Sequence, residues 1–428
     1  MNVVFLVLVL AAFLTAGWQQ LTTSAADVTP MDALSKAMID SAGGAVELAI
    51  GLVGVMALFL GLMKIAEEGG LLTILARLIR PLMVRLFPDV PAEHPAMGAM
   101  ILNMSANVLG LGNAATPFGI RAMQELDKLN PHKGVATDSM VLFLAINTSS
   151  ITLLPTGVIA LRAAAGSADP AGILPTTLFA TACSTLVAII AALGYRRFFP
   201  VKPDLAQAAD SEEAISEPAT ELPADGGSYP LWVSYLVLIG FLGLIPLTVI
   251  YGQLISPWIL PGLMLAFLLF GLSRKVRIYE CFVEGAKDGF QVALKIIPYL
   301  VAILVAVGMF RASGALDWLV GLLGSFTTLI GLPAEALPMA LLRPLSGSGA
   351  YGVMASIIND PAVGPDSYTG YLVSTLQGST ETTFYVLAVY FGAVQIRRIR
   401  HALAAGLTAD LVGVIAAIVA VSFLYGHL

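Results

Sequence analysis

The chain is 428 residues long, 57% hydrophobic and 12% charged, with a formal net charge of −6 and a mean hydropathy of +0.86. A soluble domain carries about 25% charged residues, so lipid must be the solvent for much of this surface. The acidic balance and the lack of a basic stripe or nucleic-acid motif exclude nucleic-acid binding. Cys183 and Cys281 have neither zinc-ligand nor CxxC spacing and the four histidines are scattered, so neither a disulfide framework nor a metal site is expected.

The apolar stretch 3–17 lacks a basic leader and reads as a first span or a membrane-lying helix. Segments able to cross or enter a bilayer follow at 43–64, 95–112, 139–162, 172–195, 231–250, 255–272, 289–310, 337–358, 367–392 and 401–425. Amphipathic pieces lie at 71–87 and 315–330. Residues 200–230 carry Asp204, Asp210, Glu212, Glu213, Glu217, Glu221 and Asp225 against the single base Lys202, without apolar periodicity. That composition predicts a disordered linker. The expected layout is an N-terminal helix and loop (1–30), a first repeat (31–199), the linker, two additional transmembrane helices (231–272) and a second repeat (273–428).

The repeats are weak in identity and strong in order. DSAG (40–43) matches EGAK (284–287), EGGL (68–71) matches SGAL (313–316), and NMSAN (103–107) matches SGSGA (346–350). NTSSIT (147–152) then matches QGSTET (377–382), and TAC (181–183) matches TAD (408–410). Basic clusters set the direction of each half. The last helix of the first half ends at Arg196, Arg197 and Lys202, whereas that of the second half begins after Arg397, Arg398 and Arg400. With both clusters on one side, equivalent helices run in opposite directions. The predicted fold is therefore all-α, a polytopic helical membrane protein with two inverted-topology repeats.

Polarity within apolar segments marks the candidate site. LNMSANVLGLGNAATP (102–117) and LRPLSGSGAYG (342–352) hold too much Gly, Asn, Ser and Pro for an uninterrupted helix. Non-helical backbone at membrane depth survives only against protein or a water-filled cavity, and broken helices in matching places of inverted halves point to a midplane site. The bland alternative, small-residue packing, accounts for the glycines but not for Asn103, Asn107 and Asn113 together. Gln377, Thr380 and Glu381 fall at i, i+3 and i+4, which predicts one helical face, and Asn147 with Ser150 repeats that spacing. Interhelical hydrogen bonding is the alternative there. Ionisable residues at membrane depth are Glu47, Lys295, Arg343, Glu381 and Asp410. Glu381 and Asp410 face Ile151 and Cys183 across the repeat, an asymmetry suited to a proton or cation carrier. Arg343 suits either an anionic group of the solute or a salt bridge to Glu381, while Glu47 and Lys295 suit an interface.

These stretches resemble a known family. LNMSANVLGLGNAATPFGIRAMQELDKLN (102–130) and INTSSITLLPTG (146–157) are similar to spore maturation protein A; RPLSGSGAYGVMASIIND (343–360), GPDSY (364–368) and LQGSTETTFYVLAVYFGAV (376–394) are similar to spore maturation protein B. Both carry the nucleoside recognition, or Gate, domain, named for its similarity to concentrative nucleoside transporters and to the membrane part of the ferrous iron transporter. The resemblance covers most of 38–198 and 280–425. It implies a bacterial inner-membrane protein of transporter-like fold with an A-like and a B-like half fused through the acidic linker, in a family whose members often assemble into oligomers.

The functional expectation is a transporter or exporter of a small polar solute, with alternating access about a site shared by both halves. Asn103, Ser105, Asn107, Asn113, Asn147 and Ser150 would meet Arg343, Ser346, Ser348, Gln377, Ser379, Thr380 and Glu381 there. Glu381 and Asp410 would couple solute movement to Na⁺ or H⁺. No other cofactor is expected. A non-transporting scaffold or sensor and an intramembrane enzyme are the competing readings. GxSxG, HExxH and Walker A motifs are absent from the sequence.

Overall fold

A computed structural model describes residues 2–22, 29–110, 115–149, 151–200, 260–316 and 327–427, with isolated positions between 230 and 258 and between 318 and 322. The acidic linker and most of the first additional helix fall outside the described residues. Among the described residues there is no β-strand. The helices are α1 (Asn2–Thr22), α2 (Pro30–Glu68), α3 (Leu71–Leu86), α4 (Pro95–Val108), α5 (Ala115–Lys128), α6 (Asp138–Thr148), α7 (Thr156–Ala164) and α8 (Leu174–Tyr195). They continue as α9 (Leu260–Ser273), α10 (Ile278–Ala312), α11 (Leu337–Leu342), α12 (Gly347–Ile358), α13 (Tyr368–Ser379), α14 (Thr383–Gly392) and α15 (Ala402–Tyr425).

Local chemistry fixes the boundaries in the same way in both halves. Helix α2 starts from a capping box in which Thr29 and Asp32 satisfy each other's backbone donors. It stops where Gly70 turns left-handed (φ +81°), and α10 stops at its counterpart Gly314 (φ +73°). The broken helices α6 and α13 both begin from hydroxyl caps, Thr137 accepting from Met140 N and Ser367 from Gly370 N.

Direction follows from which residues meet. A methyl group on Gly285 would stand 2.4 Å from Leu60 O, one on Gly289 2.6 Å from Ala57, and one on Gly308 2.1 Å from Ser41 Oγ. As α2 descends in number α10 ascends, so the two pack antiparallel on their small residues. Helices α8 and α15 do the same. Ser184 Oγ donates to Ala409 O (2.9 Å), the His401 ring lies 3.0 Å from Ala192 O, and at the other end Tyr425 OH donates to Gly172 O (2.7 Å). Equivalent helices thus run in opposite directions. The repeat is inverted, as the basic clusters predict.

Several expected spans are not simple crossings. Helices α4 and α5 form a hairpin that enters from one face and returns, and α11 and α12 form its counterpart from the other. The segments 139–162 and 367–392 are each two half-helices, α6–α7 and α13–α14, separated by short irregular stretches. Arg196 and Arg197 lie at the same end as Arg397, Arg398, Arg400 and Lys133, because Arg398 N donates to Gly134 O and α15 starts where α8 finishes. The opposite end gathers Asp169, Asp360 and Asp366, with Arg311 and Arg162 held in ion pairs to the latter two. Large apolar side chains on α15 (Leu407, Leu411, Ile415, Val419, Phe423) are exposed along one side, as a lipid-facing stripe requires.

Among the described residues the buried apolar side chains form five clusters, two of them large. One, around Phe87, Met100, Met140, Phe143 and Phe391, packs the basic end; the other, around Ile159, Met339, Met354, Leu372 and Ile418, packs the acidic end. Between them lies a layer of buried polar side chains.

Candidate functional site

That polar layer is where the hairpin tips and the helix breaks meet. Each tip packs on the break of its own half: Leu153 N donates to Val108 O (2.9 Å) and Phe384 N to Pro344 O (3.1 Å). Gly110 sits left-handed (φ +74°) where a Cβ would approach Leu154 O to 2.4 Å, so only glycine lets this tip reach its break. The two breaks then cross, with Glu381 N donating to Thr148 O at 2.8 Å. Thr185 Oγ1 donates to Ser149 O, and Arg343 donates to Thr380 O and, at 3.0 Å, to Thr382 Oγ1. In this way the backbone groups that the half-helices leave unpaired inside the bilayer are satisfied by protein.

Around the first tip runs a chain of neutral groups, to which Tyr390 of the second half contributes its phenol. Asn107 Nδ2 donates to Asn147 Oδ1 (2.9 Å), Tyr390 OH reaches the same oxygen (3.4 Å), and Asn103 Nδ2 donates to Tyr390 Oη (3.2 Å) and Ala115 O (2.8 Å). Gly119 makes this possible, since a methyl group there would stand 2.1 Å from the phenol oxygen. The second half contributes charge. Arg343, 5% exposed, lies 3.8 Å from the half-exposed Glu381 carboxylate, and Gln377 Nε2 donates to Gly347 O (3.3 Å). Asp410, 4% exposed, accepts from Thr383 Oγ1 (2.7 Å) through one carboxylate oxygen.

The expected residues do not all converge. Ser105 Oγ donates to Ile101 O and Ser379 Oγ to Leu376 O, each within its own helix, and Ser346 caps α12 through Gly349 N. Ser348 is exposed, away from the buried cluster. The expected single helical face of Gln377, Thr380 and Glu381 is not formed: α13 ends at Ser379 and Thr380 is extended (φ −142°, ψ 164°). The reason is tertiary, since the hydrogen bonds of Arg343 and Thr148 to this segment replace the next helical turn. Asn113 and Ser150 lie outside the described residues, as does the Lys295 side chain. Glu47 lines a separate cleft of about 660 Å³ with Asp40 and Arg311. Tyr390 and Thr185, which sequence reasoning missed, carry no motif of their own: Thr185 is one of several hydroxyls along α8 and Tyr390 one of two tyrosines on α14.

Four buried oxygens in or beside this layer have no hydrogen-bond partner among the described residues: Asn103 Oδ1, Gln377 Oε1, Asp410 Oδ1 and Thr177 Oγ1. Leaving a buried acceptor unpaired costs about 1–3 kcal/mol. With Arg343 Nε, a buried donor that also has no partner among the described residues, these oxygens match a guest that brings both donors and acceptors.

This architecture defines a multi-pass α-helical membrane protein of inverted-repeat type, with two helical hairpins meeting two broken helices between its basic and acidic ends. The chain belongs to the Gate family, described as nucleoside recognition, which it matches over residues 49–165 and 293–397. It is 51% identical over 167 residues to spore maturation protein B of Bacillus subtilis, covering 39% of this chain and 93% of that protein. To spore maturation protein A of the same organism it is 49% identical over 157 residues, covering 37% of this chain and 80% of that protein. An A-like and a B-like part are thus fused in one chain. Inner membrane protein YjiG of Escherichia coli is 32% identical over 108 residues, covering 24% of this chain and 67% of that protein. Among solved structures, a CNTnw variant in an outward-facing state aligns over 99% of both chains at 13% identity and a TM-score of 0.45. The Alcanivorax borkumensis YdaH transporter aligns over 99% of this chain and 98% of its own at 16% identity and a TM-score of 0.38.

Proposed function

We propose that the chain moves a small polar solute across a bacterial inner membrane by alternating access around the crossing of its two broken helices. The observation that carries this reading is the set of unpartnered oxygens where the two breaks cross, in a layer that each hairpin reaches from a different face. Alternate movement of the two hairpins would expose that layer to one side at a time. The amides of Asn103, Asn107, Asn147 and Gln377 supply both donors and acceptors to a neutral polar ring or hydroxyl. Nucleosides are therefore the first solutes to test, in keeping with the family's description. Glu381 and Asp410 carry the coupling cation, H⁺ or Na⁺, and Arg343 holds the second break against the tip beside it. The A-like repeat (31–199) and the B-like repeat (273–428) act as one unit. The positive-inside rule places the basic end in the cytoplasm. The name of the Escherichia coli relative fits the inner membrane.

Uptake of radiolabelled polar solutes into proteoliposomes under an imposed proton or sodium gradient tests this. Gradient-driven, saturable uptake that loses its gradient dependence in Glu381→Gln is expected. A wild-type chain that binds such solutes and moves none would instead support a sensor or scaffold.

A further inference from the structure

The two ends of the molecule hold a matched pair of contacts that the crossing does not use. At the acidic end Arg162, on α7 of the first half, is wholly buried. Its Nη2 donates to Asp366 Oδ1 (2.9 Å) and Ser167 Oγ (3.2 Å), its Nη1 donates to Pro365 O (2.6 Å), and its guanidinium lies 4.2 Å from the centre of the Tyr371 ring. Asp366, in the second half, also accepts from Ala168 N (2.7 Å) and from Ser167 Oγ. It immediately precedes Ser367, the cap of the broken helix α13.

At the basic end the partners exchange halves. Arg400, just before α15 of the second half, donates from Nη1 to Asp138 Oδ1 (2.6 Å) and Ala136 O (3.1 Å), and from Nη2 to Phe199 O (2.7 Å). Asp138 immediately follows Thr137, the cap of the broken helix α6. Each pair therefore joins an arginine beside the last connection of one half to an aspartate at the start of the other half's broken helix. The pairs are alike in kind but not in position: Asp366 lies one residue before its cap and Asp138 one residue after, and Arg162 lies on α7 whereas Arg400 lies between α14 and α15. A broken helix cannot tilt away from its neighbour while its starting turn is held in this way.

The two pairs are unequal. Asp366 is gripped by a guanidinium, a hydroxyl and a backbone N–H, and its arginine is buried under a tyrosine. Opening it would leave a buried cation unpaired, which is strongly unfavourable. The two aspartates are similarly exposed, 36% for Asp366 and 41% for Asp138, but the Asp138 carboxylate is held by the Arg400 guanidinium without the added hydroxyl and backbone N–H that grip Asp366.

We propose that Arg162–Asp366 and Arg400–Asp138 are two latches, one per membrane face, that set which side the crossing opens to, and that the basic-end latch releases first. These are positioning residues; none of them touches the proposed solute. The proposal rests on the transport reading for its purpose, but its test needs no solute. Gln377→Cys is placed in a chain with Cys183→Ser and Cys281→Ser, and its labelling by a membrane-impermeant maleimide is timed from each face in oriented vesicles. Asp138→Asn is expected to speed labelling from the basic face several-fold and leave the acidic face unchanged, whereas Asp366→Asn should act on the acidic face alone. The exchanged pair Asp138→Arg with Arg400→Asp should return the rate towards its starting value, an outcome that general loosening does not produce. Should Asp366→Asn fail to fold, Asp138→Asn and Arg400→Gln, at the surface end, decide the matter. Labelling that changes on neither face, or on both equally, overturns the latches. Face-specific labelling, together with a wild-type chain that moves no solute, upholds them and rejects transport instead.

Discussion

The two halves of the crossing share a backbone device and differ in chemistry. Both place a hairpin tip against a break, one through Leu153 N to Val108 O and the other through Phe384 N to Pro344 O. Around the first tip the groups are neutral: three amides and the Tyr390 phenol pass hydrogen bonds along a chain. Around the second are Arg343, Glu381 and Asp410. A fold that needs half-helices to end in mid-bilayer must satisfy their free backbone groups, and amides do this at no cost in ionisation. Charge does it only with partners, and around the crossing it is confined to the second half.

The comparison breaks most visibly at Arg343. Replacing it by Met should remove about 1–3 kcal/mol of stability, because the buried Thr380 O loses its donor while the half-exposed Glu381 turns to solvent. A thermal melt in detergent would report this, and Lys should recover only part of it because it lacks the fork. Gly119→Ala tests the neutral half. The methyl group would occupy the place of the Tyr390 hydroxyl, so a loss of about 1–3 kcal/mol is expected. Asn103→Leu sharpens the contrast between holding and binding. It removes the unpartnered oxygen but also the donor to Ala115 O and Tyr390 Oη, so a loss of about 1–3 kcal/mol is expected while solute uptake falls at least tenfold. Equal uptake would return Asn103 to a packing role.

The smallest effect concerns pH at the basic end. His401, just before α15, is buried against Ala192 O, and burial together with the neighbouring Arg400 holds its imidazole below its ordinary value of 6.5. The folded chain therefore binds this proton less well than the unfolded one. Its stability is full above that value and falls as pH drops through it. Hydrogen exchange at the start of α15 should rise below about pH 6.5 and lose this dependence in His401→Gln.

Much of this arrangement is legible in the sequence, and the limits are physical. Glycine, asparagine and serine inside apolar segments mark the hairpin tips correctly, because few other uses suit them in lipid. The arginine clusters place the ends of α8 and α15 together. The break after Ser379 is not legible, because the segment keeps a helical spacing and is opened by Arg343 and Thr148 from distant parts of the chain. Ser348 illustrates the converse: it belongs to a polar motif, yet the turn at Ser346 leaves it exposed. Arg162, conspicuous only once Asp366 is beside it, reads as an ordinary helix-end residue on its own.

The central claim is that the breaks of two opposed halves cross at one place. Thr148→Cys with Glu381→Cys, in a chain where Cys183 and Cys281 are serine, tests it in native membranes, since the backbone bond between these residues brings their Cα atoms into disulfide range. A mild oxidant should join them nearly completely, within the chain and reversibly with reductant. Failure of the bond to form in folded protein would mean that the halves do not meet there, and the shared solute site would be lost with them.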